Sequence, residues 1–325
     1  MVTSSLFDQY EHKFADVADG ISLHYVDVGP RDATPVVLLH GWPDLWFGWR
    51  HQIGPLSEKY RVIVADMRGH GLSSTPKELT KYGMKNITSD IARLLDVLEI
   101  EKAVFFGHDW GGSVAWRMCL HQPARVLAAG AIGTPFIPPA REFMELDALV
   151  KVMPSLAYWK LLSQTEVAGA MMDQSPRRVF TRLFRRHDEL KESVSVADAM
   201  QNLLSDDPLY TVHSDLLTDE ELDVYVDSYT KTGFQSTLHW YATRSIDFAD
   251  EKELPMTIPH KTLFIAVPDD RVVRPEMAAH MPKIMPNLEL ASISGAGHWV
   301  LWQQRDKVTE TLLTWLDKVT EEPKP

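Results

Sequence analysis

The chain has 325 residues, a net charge of −12 and 45% apolar residues. This size and apolar content suit a large α/β domain with an insertion, and the acidic balance argues against a surface for nucleic acid or anionic lipid. The single cysteine, Cys119, excludes an intrachain disulfide and fits a reducing compartment. The opening MVTSSLFDQYEHKF lacks a signal-peptide pattern, the final EEPKP carries no sorting signal, and no stretch is long and apolar enough to enter a membrane. We therefore expect a cytoplasmic protein.

The first half of the chain alternates strand and helix patterns. Residues 21–28 alternate as in a partly buried strand, and short apolar runs at 36–39, 62–65 and 103–106 predict strands that are covered on both faces. Between the last two runs, apolar residues recur at helical spacing: Ile87, Ile91, Leu94, Leu95 and Leu98. Alternating strands and helices predict an α/β fold with a mostly parallel central sheet and helices on both of its faces.

The pattern changes after Ala131. The proline-rich run TPFIPP, residues 134–139, cannot form a central strand, and the patterns that follow to residue 237 are helical. Within them, Thr218 and Glu221 predict a capping box, and Gly233 predicts the end of that helix.

Core-like patterns return in the last part of the chain. Apolar runs predict strands at 261–267 and 288–293, and residues 308–316 predict a closing amphipathic helix. The core is therefore predicted in two parts, residues 1–137 and 238–325, with a helical cap at 138–237 inserted between them.

A glycine-rich turn, Gly107-His108-Asp109-Trp110-Gly111-Gly112, follows the strand at 103–106 and precedes a helical pattern at 113–120. This is the strand–turn–helix context of a nucleophile elbow, with Asp109 where a serine hydrolase has serine. Small neighbours let so sharp a turn pack against sheet and helix, and the helix N-terminus favours an ionised carboxylate. We predict that Asp109 is a catalytic nucleophile, the alternative being an aspartate that only caps the helix.

A second motif, His40-Gly41-Trp42-Pro43, follows the strand at 36–39. Acyl chemistry needs two backbone N–H donors that face the developing oxyanion. We predict the amides of Trp42 and Trp110 as these donors, with Pro43 fixing the chain just past the first of them through a cis bond. His40 and Pro43 are expected to support the pocket, His40 in a structural role.

A third motif, Gly295-Ala296-Gly297-His298, follows the last strand, and small residues there let a loop bring an imidazole over the elbow. We predict His298 as the general base. A carboxylate must hold its tautomer, and the segment Pro268-Asp269-Asp270 offers two that spacing alone does not distinguish. Asp66, which follows its own strand, is interpreted as a residue that orders its loop.

The sequence resembles the soluble epoxide hydrolases of the α/β-hydrolase fold along nearly its whole length. The segments that carry the resemblance stand in the expected order: HGWPDLWFGWR, DMRGHGLS, GHDWGG, TPFIPP, DRVVRPEM and GHW. The resemblance implies Asp270 as the partner of His298. It also implies two tyrosines of the cap that activate the epoxide oxygen, matched by Tyr158 in SLAYWKLL and Tyr241 in HWYATR.

The resemblance implies hydrolysis of an epoxide to a vicinal diol through an ester on Asp109, without metal or cofactor. The partners are then a small apolar epoxide and water, and we expect a monomer or homodimer that serves in roles such as detoxification. One alternative is a haloalkane dehalogenase with the same triad, against which Trp42 and the two tyrosines argue. Another is a non-catalytic binding protein or receptor on this fold, which the complete set of reactive residues disfavours.

Overall fold

The computed structural model describes residues 6–189, 194–205, 212–273 and 275–320. Parts of the terminal segments considered above, residues 1–5 and 321–325, lie outside this description, as does Arg274 of the DRVVRPEM segment. The fold is an eight-stranded sheet in the order β1-β2-β4-β3-β5-β6-β7-β8. Its strands are β1 (Lys13–Ala18), β2 (Ile21–Val28), β3 (Pro35–Leu39), β4 (Arg61–Ala65), β5 (Ala103–His108), β6 (Val126–Ile132), β7 (Lys261–Ala266) and β8 (Leu288–Ser292).

The sheet is mostly parallel, as predicted. β1 pairs with β2 and β2 with β4 in antiparallel fashion, and every other pair in the sheet is parallel. In the central strands, alternate side chains enter the two cores on opposite faces. In β3, for example, Val36 and Leu38 belong to one core, and Val37 and Leu39 to the other. Burial on both faces explains why these strands are continuous apolar runs.

Helices cover both faces of the sheet and fill the segment between β6 and β7. Their bounds are α1 (Arg50–Ser57), α2 (Met84–Val97), α3 (Trp110–His121), α4 (Leu146–Val152), α5 (Trp159–Leu162), α6 (Thr165–Met172), α7 (Pro176–Leu183), α8 (Val196–Gln201), α9 (Asp219–Thr232), α10 (Gln235–Leu238), α11 (Arg244–Glu251), α12 (Met281–Ile284), α13 (Val300–Gln303) and α14 (Arg305–Thr320). The predicted helices at 113–120 and 308–316 lie within α3 and α14. Among the described residues, we find no helix with the length and apolar character needed to span a membrane.

The helical segment above the sheet contains the predicted capping box. The Thr218 side chain accepts from the Glu221 amide and the Glu221 side chain accepts from the Thr218 amide, at the start of α9. Gly233 ends that helix with a φ of 72°. Helical structure continues past residue 237 through α10 and a 3-10 turn, His239–Tyr241, so Tyr241 lies just beyond the predicted cap boundary. The domain bounds themselves stay a prediction.

Candidate active site

Asp109 occupies the sharp turn between β5 and α3. Its φ of 54° and ψ of −125° are rare for a residue with a side chain. A Cβ on Gly107 would lie 1.9 Å from the Gly111 carbonyl oxygen, and one on Gly111 would lie 2.1 Å from the Leu39 carbonyl oxygen. The predicted turn geometry is confirmed, because the strand and the helix approach too closely here for any larger residue.

The Asp109 carboxylate lies against the two amides that were predicted as oxyanion donors. The Trp42 N–H donates to Asp109 Oδ1 at 2.7 Å, and the neighbouring Trp110 amide also lowers the pKa of this carboxylate. A Cβ on Gly41 would lie 2.4 Å from Asp109 Cβ, so only glycine allows the loop to come this close. The Trp42–Pro43 peptide bond is cis, as the sequence suggested. Two amides therefore lie on one side of Asp109.

His298 links two carboxylates. Its Nδ1 lies 3.0 Å from Asp270 Oδ2, and its Nε2 lies 3.7 Å from Asp109 Oδ2. The other oxygen of Asp270 accepts from the amides of Val272 and Val273 at 2.7 and 3.2 Å. Buried and held in this way, Asp270 fixes the imidazole so that Nε2 faces the nucleophile.

Asp269, the other carboxylate in that segment, is directed elsewhere. It is exposed, and its Oδ2 accepts from the Gly295 amide at 3.0 Å. The geometry therefore distinguishes two adjacent aspartates that sequence spacing leaves equivalent: Asp270 contacts the imidazole, and Asp269 orders the loop that carries it.

The charges of His298, Asp109 and Asp270 shift one another's pKa values towards the ionised forms. Burial by itself lowers the pKa of His298, but the carboxylates of Asp270 and Asp109 together raise it to about 9. Burial raises the pKa of Asp109, while His298 and the two amides oppose that rise. The same imidazole outweighs burial at Asp270 and holds the pKa of that carboxyl below its ordinary value. The free site thus favours an imidazolium between two carboxylates.

Two tyrosines from the helical segment lie near Asp109. Tyr158 ends the 3-10 turn Pro154–Tyr158, and Tyr241 ends the turn His239–Tyr241; their ring centroids are 6.2 Å apart. Burial, and after it the charge of Asp109, raises the pKa of both phenols above the ordinary value. Both phenols therefore keep their protons at neutral pH and can donate hydrogen bonds.

Two cavities meet at Asp109. One has a volume of about 330 Å³ and is lined by Trp42, Pro43, Tyr241 and His298 among others. The second has a volume of about 410 Å³ and extends past the stacked indoles of Trp110 and Trp159, whose centroids are 5.4 Å apart. Asp109, Tyr158 and Val272 line both cavities.

His40 is fully buried below this surface. Its Nδ1–H donates to the Gly41 carbonyl at 2.9 Å, and its Nε2 accepts from the Met67 amide at 2.9 Å. Asp66 accepts from the amides of Trp46 and Leu72, at 2.9 and 3.0 Å. Both contact sets fit the loop-supporting roles expected of these residues.

Two ionisable residues beside the site were not anticipated from the sequence. Asp44 is buried and accepts from the Tyr225 hydroxyl at 2.8 Å, and burial raises its pKa to about 7. The His108 ring lies 4.9 Å from His298, and burial together with the charge of His298 lowers the pKa of His108 to about 3. The sequence signal that could have identified them is their position inside the segments HGWPD and GHDWGG. Within the described residues, we find no cluster of three or more His, Cys, Asp or Glu side chains suited to a metal ion.

Comparison with known proteins agrees with this geometry. Residues 34–304 match the family model described as alpha/beta hydrolase fold. Epoxide hydrolase A of Mycobacterium tuberculosis is 31% identical over 307 residues, which cover 92% of this chain and 95% of that protein. The crystal structure of Epoxide Hydrolase A from Mycobacterium thermoresistibile superposes with a TM-score of 0.80 at 30% identity, covering 94% of this chain and 98% of the other.

A second group of relatives is longer. Bifunctional epoxide hydrolase 2 of Mus musculus is 34% identical over 315 residues, which are 96% of this chain but 56% of that protein. The chain thus spans about half the length of these bifunctional relatives. Taken with the elbow, the arrangement of Asp109, His298 and Asp270, and the helical insertion, these matches show that the chain belongs to the α/β-hydrolase family, in the branch that contains the proteins named as epoxide hydrolases.

Proposed function

We propose that this protein is an epoxide hydrolase that converts an epoxide and water to a vicinal diol. One observation carries the proposal: two protonated phenols, Tyr158 and Tyr241, line the same cavity as the carboxylate of Asp109. An opened epoxide leaves as an alkoxide, which is a poor leaving group unless hydrogen-bond donors accept its charge. The two phenols can supply these hydrogen bonds, and the carboxylate can attack the epoxide carbon. The names of the relatives support the same activity.

In the first step, Asp109 Oδ2 attacks one epoxide carbon and the bond from that carbon to the epoxide oxygen breaks. Oδ1 remains with the Trp42 amide, which makes Oδ2 the freer oxygen. The departing oxygen receives hydrogen bonds and then a proton from the tyrosine pair, and a hydroxyalkyl ester forms on Asp109. The His298 imidazolium, which no longer faces a charged Asp109, gives up its proton, and this proton restores the phenol and leaves a neutral imidazole for the second step.

In the second step, His298 removes a proton from water, and the hydroxide attacks Cγ of the ester. The amides of Trp42 and Trp110 stabilise the oxyanion, for which they are already positioned. Asp270 stabilises the imidazolium that results. Collapse of the tetrahedral intermediate breaks the Cγ–Oδ2 bond, and the departing alkoxide takes up the remaining proton of the attacking hydroxide. The diol leaves with the original aspartate oxygen, and the Asp109 carboxylate and the His298 imidazolium are restored.

Isotope labelling tests the covalent scheme. A single turnover in heavy-oxygen water, with enzyme in excess, should label the Asp109 carboxylate and leave the diol unlabelled. A labelled diol with an unlabelled Asp109 would mean that water attacks the epoxide directly.

The assigned base is tested by trapping the ester. His298→Gln should allow alkylation and block hydrolysis, so intact-mass spectra should show a protein–substrate adduct. Asp270→Asn should slow ester hydrolysis strongly. Asp269→Asn is the neighbouring comparison and should slow it much less, because asparagine keeps an oxygen that can accept from the Gly295 amide of the loop. An adduct-free His298→Gln protein would reject the assignment of the base.

The tyrosines separate the proposal from its nearest rival. Losing one phenol should slow ring opening, and losing both should nearly abolish it, while a halide leaving group needs no proton. A haloalkane dehalogenase would release bromide or chloride and would tolerate the double Phe variant. Styrene-type oxides assayed against the corresponding halides therefore distinguish the two functions, and chiral analysis over a panel of epoxides defines selectivity.

A further inference from the structure

Trp42 is held by hydrogen bonds from both its backbone and its side chain. Its amide N–H donates to Asp109 Oδ1 at 2.7 Å, and its indole Nε1–H donates to the Thr237 hydroxyl oxygen at 2.9 Å. Thr237 lies in α10 (Gln235–Leu238) of the helical segment. The Trp42 side chain therefore joins the loop after β3 to the segment that leads into Tyr241.

The direction of this hydrogen bond follows from the two groups themselves. An indole N–H can only donate, and a hydroxyl has one proton and two lone pairs. Thr237 Oγ1 donates its proton to the Phe234 carbonyl at 2.7 Å, so its oxygen accepts from Trp42 through a lone pair. The contact requires no change of protonation in either side chain.

The contact between Trp42 and Thr237 is shielded from water. Thr237 is 0% exposed and Trp42 is 4% exposed. A buried indole N–H needs an acceptor, and one that is left unpaired carries the full desolvation penalty. Without the Thr237 hydroxyl, the Trp42 side chain should therefore shift towards another acceptor, and its backbone should shift with it.

The same indole contacts one of the two tyrosines of the site. The Trp42 and Tyr241 rings meet edge to face, with centroids 5.5 Å apart and planes at 87°. Tyr241 follows Thr237 by four residues. A shift of the indole would therefore disturb the packing of the phenol as well as the position of the amide.

The segment that carries Thr237 is itself held on the core. Ser236 Oγ donates to the Gly69 carbonyl at 3.0 Å, and Trp240 Nε1 donates to the Arg68 carbonyl at 3.2 Å. A Cβ on Gly69 would lie 3.0 Å from the Ser236 carbonyl oxygen, so the two parts of the chain are in close contact here. Thr237 therefore provides the indole with a fixed acceptor.

We propose that Thr237 is a positioning residue that, through the indole of Trp42, aligns the Trp42 amide with Asp109 and holds the Tyr241 ring beside it. Thr237 is not among the described residues that line either cavity at Asp109, so it acts through Trp42 and not on the substrate. The effect on catalysis rests on the proposed function, whereas the alignment of the amide does not.

Two substitutions separate the hydroxyl of Thr237 from its shape. Thr237→Val keeps the shape and removes the acceptor, whereas Thr237→Ser keeps the hydroxyl. In single-turnover experiments, Thr237→Val should slow both ester formation and ester hydrolysis by about 10-fold, because displacing a group costs less than losing it. Thr237→Ser should restore most of both rates. The steady-state KM should change little, since the cavity lining is unchanged.

Thr88→Val is the matched control. Thr88 is also fully buried, and its hydroxyl donates to a carbonyl of its own helix, that of Met84 at 2.8 Å. Thr88→Val should leave both rates near those of the wild type. Equal losses of rate in Thr88→Val and Thr237→Val would mean that any buried hydroxyl has this effect, and would overturn the positioning role.

A double-mutant cycle tests whether Thr237 acts through the indole. Trp42→Phe removes the indole N–H and should itself slow both steps. In the Trp42→Phe background, Thr237→Val should cause little further loss, because both changes remove the same hydrogen bond. Losses that multiply in the double variant would show that Thr237 does not act through Trp42.

Nitrogen-15 NMR tests the alignment without substrate. Thr237→Val should shift both the indole and the backbone amide signals of Trp42, whereas Thr237→Ser and Thr88→Val should leave them near their wild-type positions. An unchanged Trp42 backbone amide in Thr237→Val would overturn the inference, and so would a Thr237→Ser protein as slow as Thr237→Val. A protein that shows the two shifts but turns over no epoxide would reject only the proposed function.

Discussion

In the proposed mechanism, Asp109 enters the reaction already facing the two amides that later stabilise its ester. In the free protein they hold a carboxylate, and in the tetrahedral intermediate they would hold the oxyanion derived from the same oxygen. Little reorganisation is then needed when charge develops, which is the main advantage of a preorganised site. The Trp42 amide can approach Asp109 this closely only because Gly41 has no side chain.

Gly41→Ala should lower the rate of ester hydrolysis by about 10²-fold or more, the typical effect of losing one oxyanion donor. The added Cβ would lie 2.4 Å from Asp109 Cβ, so the loop with the Trp42 amide must move away. Gly54→Ala is the control, since its Cβ would meet only the Tyr10 hydroxyl, at 3.7 Å. Single-turnover kinetics measure the change, and equal rates in both variants would contradict it.

Ester formation should change the basicity of His298. Its pKa of about 9 depends on the negative charges of Asp270 and Asp109, so the free enzyme holds an imidazolium below that pH. Forming the ester removes the Asp109 charge and should lower the pKa, which makes a neutral base available nearer to neutral pH.

Asp109→Asn mimics the uncharged ester for this purpose. NMR titration should give a lower His298 pKa in this variant than in the wild type. In the wild-type protein, the rate of ester hydrolysis should rise with pH through this lower pKa. Identical titrations in the two proteins would contradict the electrostatic explanation.

At the scale of elements, the sequence predicted strands wherever burial on both faces left a continuous apolar run, as in β3, β4 and β5. It missed β1 and β6 for different reasons. β1 lies at the sheet edge, where half of its residues are exposed. β6 is VLAAGAI, rich in residues with low strand propensity, and a Cβ on Gly130 would lie 2.4 Å from the Phe106 ring. Small residues are required in β6 because of side chains in the neighbouring strand, and the sequence of β6 by itself does not show this.

Thr218→Ala should destabilise the protein by about 1 kcal/mol, because it removes the side-chain acceptor of the capping box at α9. The matched control is Thr309→Ala within α14, where the hydroxyl bonds only to the carbonyl four residues earlier and alanine is the better helix former. Urea unfolding midpoints compare the two variants. A destabilisation of equal size in both would show that the cap does not contribute.

At the scale of the whole molecule, the site joins segments that are distant in sequence, and motif order predicted which residues would meet. Asp109, Asp270, His298 and the two tyrosines line or contact one cavity system. The choice of Asp270 over Asp269 needed the resemblance, because the distances of these two neighbours along the sequence to the other motifs differ by only one residue. Asp44 was not predicted, since its raised pKa depends on burial beneath the helical segment, which no local pattern records.

Asp44 should make the wild-type protein less stable as the pH rises. Its folded pKa is about 7 against an ordinary 3.8, so between these values the native state holds a proton that the unfolded state has released. Asp44→Asn has no such group. Its free energy of unfolding relative to wild type should therefore increase from pH 5 to pH 8, by an amount on the order of 1–3 kcal/mol.

Tyr225→Phe is the control for this experiment, because it removes the hydrogen bond to Asp44 but keeps the carboxyl. It should destabilise the protein and retain the dependence on pH. If the difference between Asp44→Asn and wild type did not vary with pH, Asp44 would not titrate in this range.

The origin of each reactive group divides the proposed chemistry between two parts of the chain. The nucleophile, the base and both amide donors follow strands of the sheet, whereas Tyr158 and Tyr241 come from the helical segment between β6 and β7. In the proposed mechanism, the residues after the strands hydrolyse the ester, and the tyrosines of the helical insertion select the electrophile that forms it. If the mechanism holds, a chimera that carries a different insertion should change the leaving group and keep the hydrolytic half of the reaction.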